Sequence, residues 1–193
     1  VTSTVSHSNS YCETAAAFIQ EMNLVVVAIY RPPGSPQKHF EESLLVVEKF
    51  ISPLDSPDVL ILGDFNFPFV KWDPIDVNPE KKGITTSDRN SAHRFLDFLE
   101  DHYLQQFVME NTRKDKSILD LVISSNHQSI LSIDIEKTVM SDHDIVHCGL
   151  NYKNPLSKAS PRSPTELRKF DTLNFNKADW DPIDKKFSLV DWE

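Results

Sequence analysis

Two short apolar runs, "NLVVVAIYRPPG" at 23–34 and "DVLILGDF" at 58–65, enclose a stretch whose apolar residues recur at helical spacing. Each run has the length of a strand, and the first is β-branched and closed by Pro-Pro-Gly, so both read as buried strands that end in loops. Between them, "SPQKHFEESLLVVEKFISPL" sets Phe40, Leu44, Val47 and Ile51 on one face, with Pro36 before it and Pro53 after it. That spacing predicts an amphipathic helix of about four turns. Strand, helix, strand in this order is the connection of an α/β layered domain.

Downstream, residues 67–90 hold three prolines, Gly83 and many polar side chains, and without sustained periodicity they read as a long loop beside a strand end, a place where function concentrates. "SAHRFLDFLEDHYL" puts Phe95, Leu96, Leu99 and Leu104 on one face, which predicts a second helix with Ser91 as its N-cap. "ILDLVISS" and "DIVHCGL" read as short strands, and "SILSIDIEKTVM" between them alternates as a further one. From Asn151 the composition shifts to prolines at 155, 161 and 164 among serines and lysines, a linker composition, and "FNKADWDPIDKKFSLVDWE" reads as a short helical element beyond it. The expected division is an N-terminal segment at 1–21, one domain at 22–150 and a linker at 151–193.

Two cysteines, Cys12 and Cys148, stand far apart with no C-x-x-C spacing, which suggests neither a thiolate zinc site nor a disulfide-stapled secreted fold and points to a reducing intracellular compartment. No apolar stretch approaches the roughly 20 residues that cross a bilayer, and residues 1–10 lack the blocks of a signal peptide. A soluble, non-secreted protein is expected. The sequence opens on Val1 rather than methionine, so a piece of a longer chain is expected too. Residues 1–150 carry 22 acidic and 12 basic side chains, a balance that argues against broad, charge-driven nucleic-acid binding and is compatible with metal-binding carboxylates.

Three stretches hold residues that could do chemistry. In "GDFN", Asp64 and Asn66 share a face if the strand geometry continues through Phe65, so an acid and an amide would converge at a strand end; an Asx turn is the structural alternative. In "ILDLVISS", Asp120 stands inside an apolar run and needs a partner, whether a catalytic group or a structural one such as Arg113. In "SDHDIVHCGL", Ser141, Asp142 and His143 precede a strand; a carboxylate beside an imidazole fixes its tautomer for acid or base work, against a solvated turn as the alternative. His143 and His147 are spaced as in H-E-x-x-H, but Ile145 and Val146 favour a strand, which would hold the two imidazoles roughly 13 Å apart instead of on one zinc ion.

Taken in order, "VVVAIYRPPGS", "ILGDFNFPFVKW", "NTRKDKSILDLVISS" and "MSDHDIV" resemble the endonuclease/exonuclease/phosphatase superfamily, and within it the apurinic-type endonuclease domain of non-LTR (LINE-like) retrotransposons. The resemblance spans about residues 22–150. It implies an α/β (α+β) fold, a two-sheet, four-layer sandwich incomplete at its N-terminus, and hydrolysis of DNA phosphodiesters, a nicking activity, with Mg2+ or Mn2+. By resemblance, Asp64 activates the attacking water and Asn66 holds it or a phosphate oxygen. His143 meets the scissile phosphate or moves a proton, with Asp120 supporting it; Asp142 binds the metal, and Tyr30 donates to developing charge. Arg31, Asn66, Arg113 and Ser141 are the implied substrate contacts. A hard divalent cation suits such oxygen-rich sites because it keeps several waters and needs few carboxylates. The implied partners are DNA and a reverse transcriptase domain of the same polyprotein, with no membrane, in the nucleus and cytoplasm. The family's metal-binding Glu, expected on a strand upstream of the Tyr-Arg-Pro-Pro strand, has no clear counterpart; Glu13 in "YCETAAAF" matches it superficially. The alternatives are a non-catalytic remnant or interaction module of the same fold, and a phosphoesterase acting on small phosphate esters.

Overall fold

The computed structural model describes residues 3–9, 11–72, 75–77, 84–114 and 116–151. They run β1 (Ser3–Ser8), β2 (Glu13–Ile19), β3 (Leu24–Tyr30), α1 (Gln37–Ile51), β4 (Asp58–Asp64), β5 (Val70–Trp72), β6 (Ile75–Val77), α2 (Thr86–Asp101), β7 (Gln105–Gln106), β8 (Asp120–Ser124), β9 (Ile130–Glu136) and β10 (Ile145–Leu150). The expected strand, helix, strand unit is β3, α1, β4, and its two strands pair in parallel, as a helical crossover requires. The other pairings of the main sheet are antiparallel, giving the order β1-β2-β3-β4-β8-β7. A separate pair, β9 and β10, and a small hairpin of β5 and β6 complete the strands.

Side-chain alternation sorts the main sheet into two faces. Val25, Val27, Ile29, Val59, Ile61, Leu121 and Ile123 point to one side, where they form a core with Phe40, Leu44 and Val47 of α1 and Phe95, Phe98 and Leu99 of α2. Leu24, Leu60 and Val122 point to the other, where Ile133, Ile135 and Val146 of the β9–β10 pair pack against them. The result is a mixed α/β fold of helices, a six-stranded sheet and a small sheet.

Three expectations are corrected. Residues 1–21 are not a segment apart from the sheet, because β1 and β2 extend it through β3 in continuous register. Helix α2 begins at Thr86, not after Ser91: Thr85 is the N-cap, its hydroxyl accepting from the Asp88 backbone N–H at 3.0 Å, and Ser91 is buried inside the helix. The long loop at 67–90 is interrupted by β5, β6 and the first turn of α2. The linker at 151–193 lies outside the described residues except for Asn151. No helix among the described residues is long and apolar enough to cross a membrane.

One backbone position controls the strand ends. Gly63 has φ +154°, and a Cβ built there would stand 1.8 Å from the Ile29 carbonyl oxygen, so only glycine lets β4 lie this close to β3.

Candidate active site

The register of the main sheet lines up Glu13 with Tyr30, Tyr30 with Asp64, and Asp64 with Asp120. All four belong to the face opposite the helices, since their neighbours along each strand, Ile29 and Leu121 among them, enter the helix-side core. Two carboxylates directly opposite one another repel; here an imidazole comes between them. His143, in the turn before β10, meets Asp120 Oδ2 through Nδ1 at 2.8 Å and lies 4.0 Å from Asp64 Oδ2 through Nε2. An ionised carboxylate only accepts, so Nδ1 carries the proton and Nε2 faces Asp64. One ligand atom from each of the three residues falls within 4.8 Å of the others.

Burial and the neighbouring Asp120 charge push the Asp64 carboxyl above its ordinary range, partly offset by His143 and by bonds from Asn66. Asn66 adopts φ +49°, and its backbone N–H donates to Asp64 Oδ1 at 3.1 Å. The Asx turn therefore forms, and it is the device that shapes the site's floor. The Asn66 side chain is buried and its Nδ2 donates to the Arg31 carbonyl oxygen at 3.0 Å. Phe65, Phe67 and Phe69 alternate into the helix-side core around it, with Phe65 stacked on Phe95 at 4.6 Å. Tyr30 is 45% exposed at the end of β3, in the same row as Asp64.

Arg31, expected to contact substrate, is instead fully buried. Its guanidinium pairs with Asp88 at 2.6 Å, donates to the carbonyl oxygens of Ser35, Phe65 and Asn66, and lies over the Phe67 ring at 4.4 Å. Both terminal amino groups are engaged while the buried Nε has no acceptor, and the side chain acts as a brace for the Asp64–Asn66 turn. Arg113 does not pair with Asp120; it binds Asp142 through Nε at 3.0 Å and through its terminal amino group at 2.8 Å. That bond is the main reason the Asp142 carboxyl sits below its ordinary range, and Asp142 stands outside the Asp64, Asp120, His143 cluster. Ser141 Oγ accepts from the His143 backbone N–H at 3.1 Å, so it shapes the turn that presents the imidazole.

Two positioning residues escaped the sequence reading. Thr112 is buried, and its Oγ1 accepts from the backbone N–H groups of Leu119 and Asp120 at 3.0 and 3.1 Å, while its carbonyl accepts from Asp144 N–H at 2.8 Å. It thus ties the start of β8 to the segment bearing His143; the signal was the Thr before Arg113. Asp88, the partner of Arg31, was hidden in the supposed loop. The zinc alternative is not what the geometry shows: His147 lies on β10 and pairs with Glu136 at 2.8 Å, while His143 pairs with Asp120.

Among solved structures, the endonuclease domain of TRAS1, a telomere-specific non-LTR retrotransposon, matches with a TM-score of 0.51 at 13% identity, over 77% of this chain and 68% of that one. An endonuclease/exonuclease/phosphatase family protein of Bacteroides thetaiotaomicron matches at 0.40 and 14%, over 72% of this chain and 53% of that one. A mannosyl-6-phosphatase of the same bacterium matches at 0.39 and 14%, over 72% and 56%. The chain thus spans little more than half the length of these last two proteins. No curated protein is matched by the sequence. A family model described as endonuclease-reverse transcriptase matches residues 24–147, from the first residue of β3 to the middle of β10. With Tyr30, Asp64, Asp120 and His143 all inside that span, the chain belongs to the endonuclease-reverse transcriptase family.

Proposed function

We propose that this chain is a divalent-metal-dependent DNA nicking domain of a non-LTR retrotransposon polyprotein, joined to a reverse transcriptase. The observation that carries the reading is the convergence of Asp64, Asp120 and His143 at adjacent strand ends. In its full form the fold is a four-layer sandwich, of which the six-stranded sheet, its helices and the β9–β10 pair are parts.

The donor set fits Mg2+ or Mn2+. Two carboxylates face each other, burial together with their mutual repulsion raises the Asp64 carboxyl, and a hard cation that keeps its waters asks for only one or two carboxylates. Asp64 and Asp120 would hold it, and when bound it would polarise the scissile phosphate. The remaining steps fall to the chain's own groups. Asp64 has a second carboxylate oxygen to accept a hydrogen from the attacking water and orient it for in-line attack on phosphorus. His143, held by Asp120 through Nδ1–H, presents Nε2 to the phosphate; as the imidazolium, with a second proton on Nε2, it stabilises developing negative charge and gives that proton to the departing oxygen, while the proton of the attacking water passes to Asp64. Tyr30, exposed in the same row, is a hydroxyl donor to that charge. Asn66, Arg31 and Thr112 hold the frame, and the Arg113–Asp142 pair fixes the turn that carries His143.

The test is incubation of the purified chain with supercoiled plasmid and Mg2+, beside Asp64→Ala and His143→Ala. Relaxed circles from the parent and none from either variant are expected; nicking that survives either substitution overturns the assignment. A second reading, a non-catalytic module with the same fold, is favoured by one observation: among the described residues no third carboxylate joins Asp64 and Asp120, and Asp142 is committed to Arg113. A well-folded parent that leaves the plasmid supercoiled supports it.

A further inference from the structure

Two clefts differ in the charges of their described walls. One, about 660 Å3, is lined by Glu13, Tyr30 and Asp64, with no lysine or arginine among the described residues of its wall. The other, about 470 Å3, is lined by Lys71, Trp72, Met109, Asn111, Lys116 and Ser117 among others, with no acid among the described residues of its wall. Its walls are the two segments that deliver the site. One continues from Asn66 through Pro68 to Trp72, and the other leads from Met109 past Thr112 to Ile118, two residues before Asp120.

In a chain of net charge −9, two exposed lysines in the wall of one cleft, on segments that lead to Asp64 and Asp120, are unexpected as mere solubilising charge. Neither forms an ion pair with another described residue. Trp72, 7% exposed, gives the cleft an aromatic wall. Met109, 57% exposed, offers an adaptable apolar contact. The volume lies within the roughly 300–1,000 Å3 typical of small-ligand sites.

We propose that this cleft is a nucleotide subsite for the DNA strand beside the scissile phosphate, a reading that rests on the nicking function above. Lys71 and Lys116 hold backbone phosphates, Met109 packs on the base, and the Asn111 amide meets its edge. The strand then runs from the lysine-lined cleft toward Asp64 and His143.

The experiment measures fluorescence anisotropy of a fluorescein-labelled DNA duplex with the full chain, in Ca2+ to limit cleavage, across a salt series, with plasmid nicking in Mg2+ measured in parallel. The variants are Lys71→Ala/Lys116→Ala and, for the same change of charge on helix α1, Lys38→Ala/Lys49→Ala. Each lost phosphate contact lowers the slope of log affinity on log salt by about 0.9, so the cleft variant should lose about 1.8 and the α1 variant nothing. Equal slopes in the two lysine variants, or no binding by the parent, overturn the subsite. Nicking by the parent with unchanged slopes leaves the nuclease and removes the subsite. A slope lost only in the cleft variant, with no nicking by the parent, keeps the cleft as a DNA site and removes the nuclease reading.

Discussion

Replacing Arg31 by methionine should cost far more stability than a surface arginine would, while leaving no direct mark on DNA contact. The side chain is fully buried, and Asp88, 14% exposed, has it as its one close cation among the described residues, at 2.6 Å. Methionine fills a similar volume but leaves the largely buried Asp88 carboxylate without that cation, with the Thr85 hydroxyl still donating to it. It also strips a donor from the carbonyl oxygens of Ser35, Phe65 and Asn66 and removes the cation over Phe67. Breaking a buried ion pair from one side costs about 3–5 kcal/mol, a large share of the roughly 5–15 kcal/mol that holds a domain together. Urea unfolding followed by far-UV circular dichroism measures it by linear extrapolation. Arg31→Met/Asp88→Asn removes both charges, so it should be less destabilised than the sum of the single changes, with about 1–3 kcal/mol of coupling. A loss below about 1 kcal/mol in Arg31→Met, or strict additivity in the cycle, would refute the bracing role. The substrate-contact role is separated by Arg31→Lys, whose folded fraction should keep the parent's salt slope for DNA rather than lose about 0.9 from it.

Gly63→Ala should destabilise strongly, by roughly 1–3 kcal/mol from backbone strain alone, because its Cβ would overlap the Ile29 carbonyl oxygen; a thermal melt unchanged from the parent would contradict the close approach of β3 and β4. Asp64→Asn should stabilise the metal-free protein at neutral pH, since it removes a carboxylate that burial and Asp120 hold above its ordinary pKa. A raised folded-state pKa gives a contribution that is complete below the unfolded-state pKa and is lost as pH rises through the folded one. Melts in EDTA across that window should therefore show the parent losing stability relative to Asp64→Asn with rising pH, and parallel profiles would refute the electrostatic account.

The strands that hold the site were legible because their apolar pattern is local. Leu24–Tyr30 and Asp58–Asp64 are runs that few other structures can bury, and Ile130–Glu136 alternates plainly. Strands β1 and β2 were not read, for opposite reasons. "STVSHS" has a single branched apolar residue and forms a mostly exposed edge, while "ETAAAFI" is rich in alanine, a helix former that becomes a strand only by pairing with β3. The start of α2 was missed because its first turn is polar, so periodicity began only at Phe95, and Thr85-x-x-Asp88 caps with Asp instead of the more familiar Glu. Arg31 is a substrate contact only by family resemblance. Its burial depends on Asp88, 57 residues away, and no local pattern carries that pairing.

Asp64, Asp120 and His143 could each be named from the sequence, but each alone had an adequate structural explanation; what makes them a site is register. In β4, Val59 and Ile61 enter the helix-side core while Leu60 faces the other way, and in β8 Leu121 and Ile123 oppose Val122 in the same manner. A slip of one residue in either strand would turn its core residues to the wrong face and carry Asp64 or Asp120 to the helix side. The hydrophobic alternation that stabilises the sheet is therefore also what sets the two carboxylates opposite one another. The choice posed by Gly-Asp-Phe-Asn, between turn and active site, dissolves for the same reason. Gly63 permits the close strand, the Asx turn at Asn66 stops it, the phenylalanines anchor the loop in the core, and Asp64 is left at the strand end facing Asp120 and His143. The structural turn and the proposed catalytic end are one arrangement, so Asn66→Ala should act on both together: it removes the bond to the Arg31 carbonyl and a side chain that tolerates φ +49°. Loss of nicking without loss of stability in that variant would separate the two roles.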